Sequence, residues 1–205
     1  MVVVSVDYRL APEHIYPAAL EDCNFVADWL VIHSKKEWDC DVTFIGGESA
    51  GASLASLVLL HLRDSGHLGP IKGAVLNYGQ YDLSHLPSMR ALDPDRRLIL
   101  GRADGDAFLN MYIPGYDPEQ RKLPTISPAY NDLRGLPSAL FIVGSEDGLI
   151  DDTLLMAAKW RIAGNESILK FVPGACHGFM VFNGHELECA RQGWDVMLAF
   201  LQSLQ

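Results

Sequence analysis

Three residues of this sequence have the chemistry of a nucleophile, an acid and a base. Ser49 lies in the segment 47–51 (GESAG), and small residues on both sides suit a sharp, strained turn around an exposed serine. Asp147 and His177 follow it along the chain. In such a set the hydroxyl attacks, the imidazole takes its proton, and the carboxylate holds the imidazole's tautomer. The three residue types therefore predict nucleophilic catalysis through a covalent intermediate.

Each of these residues follows a run that is typical of a buried strand. Ser49 comes after the apolar run 42–46, and a long apolar helical stretch follows it. Asp147 comes after 139–143, and His177 after 168–172. The carboxyl ends of parallel strands meet at one edge of a sheet, where open sheets of this kind keep their sites. The order Ser, Asp, His is that of the α/β-hydrolase fold.

Each residue also has an ordinary structural explanation. A serine between glycines is usually a turn residue, and a loop histidine is usually solvated. An aspartate after a strand is usually a helix cap, a role that Asp151 or Asp152 could fill here. Because the three residues occur together, in order and each after a strand, we favour the catalytic interpretation.

The alternation of strand-like and helix-like segments predicts a mostly parallel sheet covered on both faces by helices. We expect residues 1–205 to form a single domain. Five strands are predicted, at 2–6, 42–45, 71–76, 138–143 and 167–172. The predicted helices are 16–35, 49–63, 151–163 and 186–204.

Between residues 83 and 131 this alternation is lost, apart from one helical stretch around 104–112. A long connection of this kind predicts an insertion that covers the site as a lid. Four apolar residues of the insertion are candidates for lining an acyl pocket: Leu98, Ile99, Phe108 and Met111. The alternative is that they pack only on the main domain.

Composition argues against several classes of function. The net charge is −10 and no basic block exists, so no nucleic-acid partner is expected. No apolar run approaches the length of a membrane span, and no secretory signal pattern is present, so a cytoplasmic location is expected. The four cysteines have no close spacing, so we predict no metal site and no disulfide framework, and no cofactor is expected.

Three stretches of the sequence resemble one family. Residues 7–13 read DYRLAPE, residues 47–51 read GESAG, and 147–151 (DGLID) is followed by HGF at 177–179. They are similar to the DYRLAPE, GDSAGG and DPLxDE…HGF motifs of the hormone-sensitive-lipase-like carboxylesterases, a group of α/β-hydrolases. Within the group, fungal acyl-ester hydrolases of the versiconal hemiacetal acetate esterase type look most similar.

The resemblance implies a small-molecule ester as substrate and a role for each matching residue. It makes Ser49 the nucleophile, Asp147 the orienting acid and His177 the base. Ala50 would supply one backbone N–H of the oxyanion hole. The implied activity is hydrolysis of small to medium acyl esters.

One departure from the family pattern bears on activity. The family carries a His-Gly-Gly-Gly loop upstream of DYRLAPE, and its glycine N–H groups donate to the oxyanion; this sequence opens at the DYRLAPE segment. We therefore expect these residues alone to be a poor esterase. An inactive fragment, or a non-catalytic small-molecule-binding member of the fold such as the gibberellin receptors, is the alternative.

The same departure affects the sheet. In the family's strand order, a further strand separates the DYRLAPE strand from the strand that precedes the nucleophile, here 42–45. Residues 2–6 could therefore move inward and pair with 42–45. Alternatively, the position of the missing strand stays open in the sheet, or a second chain fills it and makes a homodimer.

Overall fold

A computed structural model describes residues 2–93 and 98–204 of the protein. Its centre is a parallel sheet of four strands that lie side by side in chain order. The strands are β1 (Phe44–Glu48), β2 (Gly73–Asn77), β3 (Ser138–Gly144) and β4 (Ser167–Val172). The predicted parallel sheet is confirmed, and all four strands end at the same edge.

Successive residues of the central strands face opposite sides of the sheet, and each side has its own apolar core. Ala74, Leu76 and Phe141 belong to one core, whereas Val75 and Leu140 belong to the other. The alternation follows from the two-residue period of a strand. Because both sides are buried, β2 and β3 are apolar along most of their length.

Helices cover both sides. The first core contains residues of α1 (Ala18–Trp38), α2 (Ala50–Asp64) and α5 (Ile150–Ile162), and the second contains residues of α6 (Glu188–Ser203). Helix α2 follows β1 directly, and α5 begins shortly after β3. The starts of both helices therefore lie at the edge where the strands end. Among the described residues, no helix has the length and apolarity that crossing a membrane requires.

The prediction of a strand at residues 2–6 is wrong, so the sheet has four strands instead of five. Residues 2–10 have no regular secondary structure, and Val3 is 76% exposed. The segment is held instead by Arg9, whose backbone N–H and guanidinium both donate to the Asp22 carboxylate of α1. An apolar run becomes a strand only beside a partner, and among the described residues β2 is the only strand that pairs with β1.

The insertion 83–131 contains α3 (Pro87–Arg90) and α4 (Arg102–Tyr112). Its residues 94–97 lie outside the described part of the chain. A small core of its own holds it together, formed by Leu83, Leu109, Ile113 and Ile126. The Tyr16 N–H donates to the Tyr112 carbonyl at 2.9 Å, which ties this core to the segment before α1.

Candidate active site

Ser49 occupies a sharp turn between β1 and α2. Its backbone has φ +53° and ψ −120°, which a residue with a side chain rarely adopts. The turn is possible because Gly47 has no side chain: a Cβ at that position would lie 2.3 Å from the backbone of Gly51. The Ser49 N–H donates to the Asn77 carbonyl at 3.0 Å, so the end of β2 supports the turn.

The loop after β3 and the loop after β4 bring Asp147 and His177 to the same place. His177 Nε2 lies 2.8 Å from Ser49 Oγ, and His177 Nδ1 lies 2.9 Å from Asp147 Oδ2. Both distances are those of good hydrogen bonds. The structure therefore joins, in one continuous chain of contacts, three residues that are 98 and 30 positions apart in sequence.

Close packing between the two loops keeps this arrangement in register. A Cβ at Gly144 would lie 2.1 Å from the Ala175 carbonyl oxygen, so only glycine allows the approach. The Glu146 N–H donates to the same carbonyl at 3.0 Å. Asp147 is 3% exposed, and its Oδ1 accepts the Leu149 N–H at 2.8 Å. The carboxylate is thus fixed in orientation and largely removed from solvent.

The neighbouring carboxylates have other partners. Asp151 Oδ2 accepts the Ser88 N–H at 2.8 Å, which joins the insertion to the start of α5. Asp152 Oδ1 accepts the N–H groups of Tyr81 and Asp82, at 2.8 and 2.7 Å, in the loop after β2. Asp151 and Asp152 therefore bind other loops, and Asp147 is the carboxylate that faces His177.

Ala50 is the first residue of α2 and follows Ser49 directly. The first N–H groups of a helix have no acceptor inside the helix, and the helix dipole gives this end a partial positive charge. A negative oxygen formed at Ser49 would meet both. The assignment of Ala50 to an oxyanion hole stays a prediction.

The insertion lies next to the loops that carry Asp147 and His177. Ser88 Oγ donates to the Gly148 carbonyl at 2.7 Å. Ile99 Cγ2 would lie 3.9 Å from a Cβ at Gly178, the residue after His177. Leu98, Phe108 and Met111 have side chains that are 37–59% exposed, so their part in an acyl pocket stays a prediction.

Tyr78 lies at the site but is not among the residues that the sequence predicted. Its ring centroid is 5.3 Å from that of His177, and the side chain is 1% exposed. The signal that could have indicated it is its position immediately after β2, at the edge where the other strands deliver their site residues. Within the described ranges, His, Cys, Asp and Glu side chains form no group suited to holding a metal ion.

Comparison with known proteins agrees with this architecture. A family model described as alpha/beta hydrolase fold matches residues 1–181. The chain belongs to the alpha/beta hydrolase fold family. Carboxylesterase NlhH of Mycobacterium tuberculosis is 36% identical to this α/β-hydrolase over 186 residues, which cover 88% of the chain and 57% of NlhH. The chain spans 57–65% of the length of NlhH and two other curated relatives that it matches.

Solved structures lead to the same family. An esterase from the archaeon Pyrobaculum calidifontis superposes with a TM-score of 0.87 at 31% identity, covering 96% of this chain and 64% of that one. A hormone-sensitive lipase from a metagenome library superposes with a TM-score of 0.82 at 30% identity, covering 97% and 66%. The resemblance to hormone-sensitive-lipase-like carboxylesterases is thereby confirmed. The closer kinship with fungal versiconal-type esterases stays a prediction.

Proposed function

We propose that this α/β-hydrolase is a carboxylic ester hydrolase that acts through Ser49, His177 and Asp147. The observation that carries the proposal is the position of the His177 imidazole. One ring nitrogen lies 2.8 Å from a hydroxyl on a strained turn, and the other lies 2.9 Å from a buried carboxylate. This is the geometry in which an imidazole can take the serine proton while the carboxylate holds its other N–H.

The reaction would proceed in two halves. Ser49 Oγ attacks the ester carbonyl as its proton moves to His177 Nε2, and Asp147 stabilises the imidazolium that forms. The tetrahedral intermediate then expels the alcohol, which takes the proton from Nε2, and leaves an acyl-serine. A water molecule repeats the sequence: Nε2 takes its proton, the oxygen attacks the acyl carbon, and Ser49 leaves with the proton returned from Nε2.

The oxyanion of each tetrahedral intermediate would lie at the start of α2. There the Ala50 N–H and the helix dipole favour negative charge. On the other side of the site, Ile99 lies next to the residue after His177. An apolar residue in that place suits small to medium acyl groups, with Leu98, Phe108 and Met111 of the insertion as further acyl contacts.

A non-catalytic binding protein on the same fold is the second candidate. What favours the enzyme is the completeness of the set: a receptor needs neither a strained serine nor a buried acid beside the histidine. Ester hydrolysis by NlhH and the P. calidifontis esterase is what their names state, and it supports the same reaction class for this chain.

The test is hydrolysis of p-nitrophenyl acetate and butyrate by the protein and by Ser49→Ala. We expect Ser49→Ala to abolish turnover and Ser65→Ala to leave it unchanged, since Ser65 caps the far end of α2. Labelling with a fluorophosphonate probe separates the alternatives. A slow enzyme is labelled at Ser49, whereas a receptor without a working nucleophile is not labelled at all.

Two further properties belong to this proposal. No nucleic acid is expected to bind, because the protein is acidic. A homodimer stays a prediction, which sedimentation equilibrium of the purified protein would test.

A further inference from the structure

Tyr78 is held rigidly against the histidine of the proposed triad. It directly follows β2, and its N–H donates to the Ile142 carbonyl at 2.7 Å. Its ring meets the His177 imidazole at a centroid distance of 5.3 Å and an angle of 69°, and it meets the Phe179 ring at 5.7 Å and 58°. Such tilted contacts between rings are directional, so they favour one orientation of each ring.

The backbone of Tyr78 is unusual. Its φ is +37°, a conformation that is costly for a bulky residue and that clusters at functional sites. The preceding residue, Asn77, accepts the Ser49 N–H at 3.0 Å. The end of β2 therefore supports the nucleophile through one residue and the histidine through the next.

The hydroxyl at the far end of the Tyr78 ring is buried as well. Burial raises the pKa of this hydroxyl, and the carboxylates of Glu48 and Asp147 raise it further. Glu48 is the residue before Ser49. The same tyrosine whose ring contacts His177 therefore interacts with the residue that precedes the nucleophile.

We propose that Tyr78 is a positioning residue for ester hydrolysis, whose ring holds the His177 imidazole in the plane that faces Ser49 and Asp147 together. Rotation of the imidazole about its Cβ–Cγ bond would break both contacts at once. The Tyr78 ring opposes that rotation because it packs on the imidazole from a fixed backbone position. The inference rests on the proposed function, since it assigns a role within the same reaction.

The test compares substitutions at Tyr78 with one at a matched tyrosine. Tyr78→Met removes the ring and leaves a flexible apolar side chain, and Tyr78→Phe keeps the ring. Tyr81→Leu is the control, because Tyr81 is equally buried in the same loop but packs on Phe141 in the other core. Each variant is assayed for kcat and KM on p-nitrophenyl butyrate and for thermal unfolding.

We expect Tyr78→Met to lower kcat about 100-fold with KM nearly unchanged, the loss that a misplacement of about 1 Å typically causes. Tyr78→Phe should recover most of kcat. Tyr81→Leu should lower the unfolding temperature at least as much as Tyr78→Met but leave kcat within about threefold. An equal fall in kcat for Tyr81→Leu, or unchanged kcat in Tyr78→Met, would overturn the proposal.

A second measurement does not depend on turnover. We expect the proton between His177 Nδ1 and Asp147 to give an NMR resonance at low field, assigned by its loss in His177→Gln. It should broaden or disappear in Tyr78→Met and persist in Tyr78→Phe and Tyr81→Leu. If the parent lacked Ser49-dependent hydrolysis, the proposed function would fail; a resonance unchanged in Tyr78→Met would refute the positioning role separately.

Discussion

Replacing Asp152 by asparagine should make the stability of the protein less dependent on pH. Asp152 is fully buried at the start of α5, and among the described residues only one of its carboxylate oxygens has hydrogen-bond partners, the N–H groups of Tyr81 and Asp82. Burial raises the pKa of Asp152 to about 8, and the nearby Asp82 and Asp151 carboxylates also raise it; the two N–H donors lower it without reversing the shift. The folded protein therefore keeps this carboxyl protonated at neutral pH.

The sign and size of the effect follow from proton linkage. The unfolded chain has the ordinary aspartate pKa of about 3.9, so between pH 5 and pH 7 it releases a proton that the folded state retains. The stability due to this group is fully present below about pH 4 and is lost as the pH rises toward 8. One proton corresponds to about 1.4 kcal/mol per pH unit, so the contribution of Asp152 to the free energy of unfolding should fall by about 3 kcal/mol over this interval.

Asparagine has no proton to release, and its amide oxygen can still accept both N–H groups. The difference in unfolding free energy between Asp152→Asn and the parent should therefore shift by about 3 kcal/mol in favour of the variant from pH 5 to pH 7. Urea unfolding followed by tryptophan fluorescence at the two pH values measures it. Asp41→Asn, at an exposed aspartate before β1, is the control and should follow the parent. Parallel pH dependence of Asp152→Asn and the parent would refute the reasoning, because it would mean that the folded protein holds Asp152 ionised.

Three further predictions concern the insertion, the core and the turnover. Burial lowers the pKa of His85 despite the opposing Asp106 carboxylate 3.1 Å away. The unfolded chain therefore binds a proton at His85 more readily than the folded protein, so stability should fall as the pH drops below about 6.5. Urea titrations should show that His85→Gln flattens this fall. Trp160→Ala should lower the free energy of unfolding by about 3–5 kcal/mol, because the ring is fully buried against Phe141 and its Nε1–H donates to the Pro137 carbonyl; a loss below about 1 kcal/mol in urea unfolding would contradict this. A polypeptide of residues 1–205 alone should turn over p-nitrophenyl esters about 10²–10³-fold more slowly than one that also carries an upstream His-Gly-Gly-Gly segment. The reason is that removing one oxyanion donor typically lowers turnover by that factor. Equal rates would show that other donors suffice.

Much of the fold was predictable because its signals are local. Strands β2 and β3 each contain an apolar run, and the turn at Ser49 is encoded by the glycines within two residues of it. The order of Ser49, Asp147 and His177 after successive strands also predicted that they would meet, because parallel strands end at one edge. Their distances in the structure agree with that prediction, and their catalytic role is the proposal that the assays test.

Other features depend on partners far away in the sequence. The apolar run at 2–6 predicted a strand, but a strand requires a neighbour to satisfy its hydrogen bonds, and the segment is exposed instead. The insertion was predictable because strand-like and helix-like segments stop alternating there. Which of its side chains lie at the site depends on how the insertion packs on the loop that carries Asp147. Ile99, one of the four candidates, lies close to Gly178, the residue after His177.

Local signals predicted a class of chemistry and the order of the elements, because residue types, short turns and apolar periods act within a few positions of the chain. What surrounds the proposed site depends on the tertiary structure. Tyr78 meets a histidine 99 positions away, and Asp152 binds a loop about 70 positions before it. Neither contact leaves a local pattern, since the orientation of a ring and the pKa of a carboxyl depend on groups that only folding brings together.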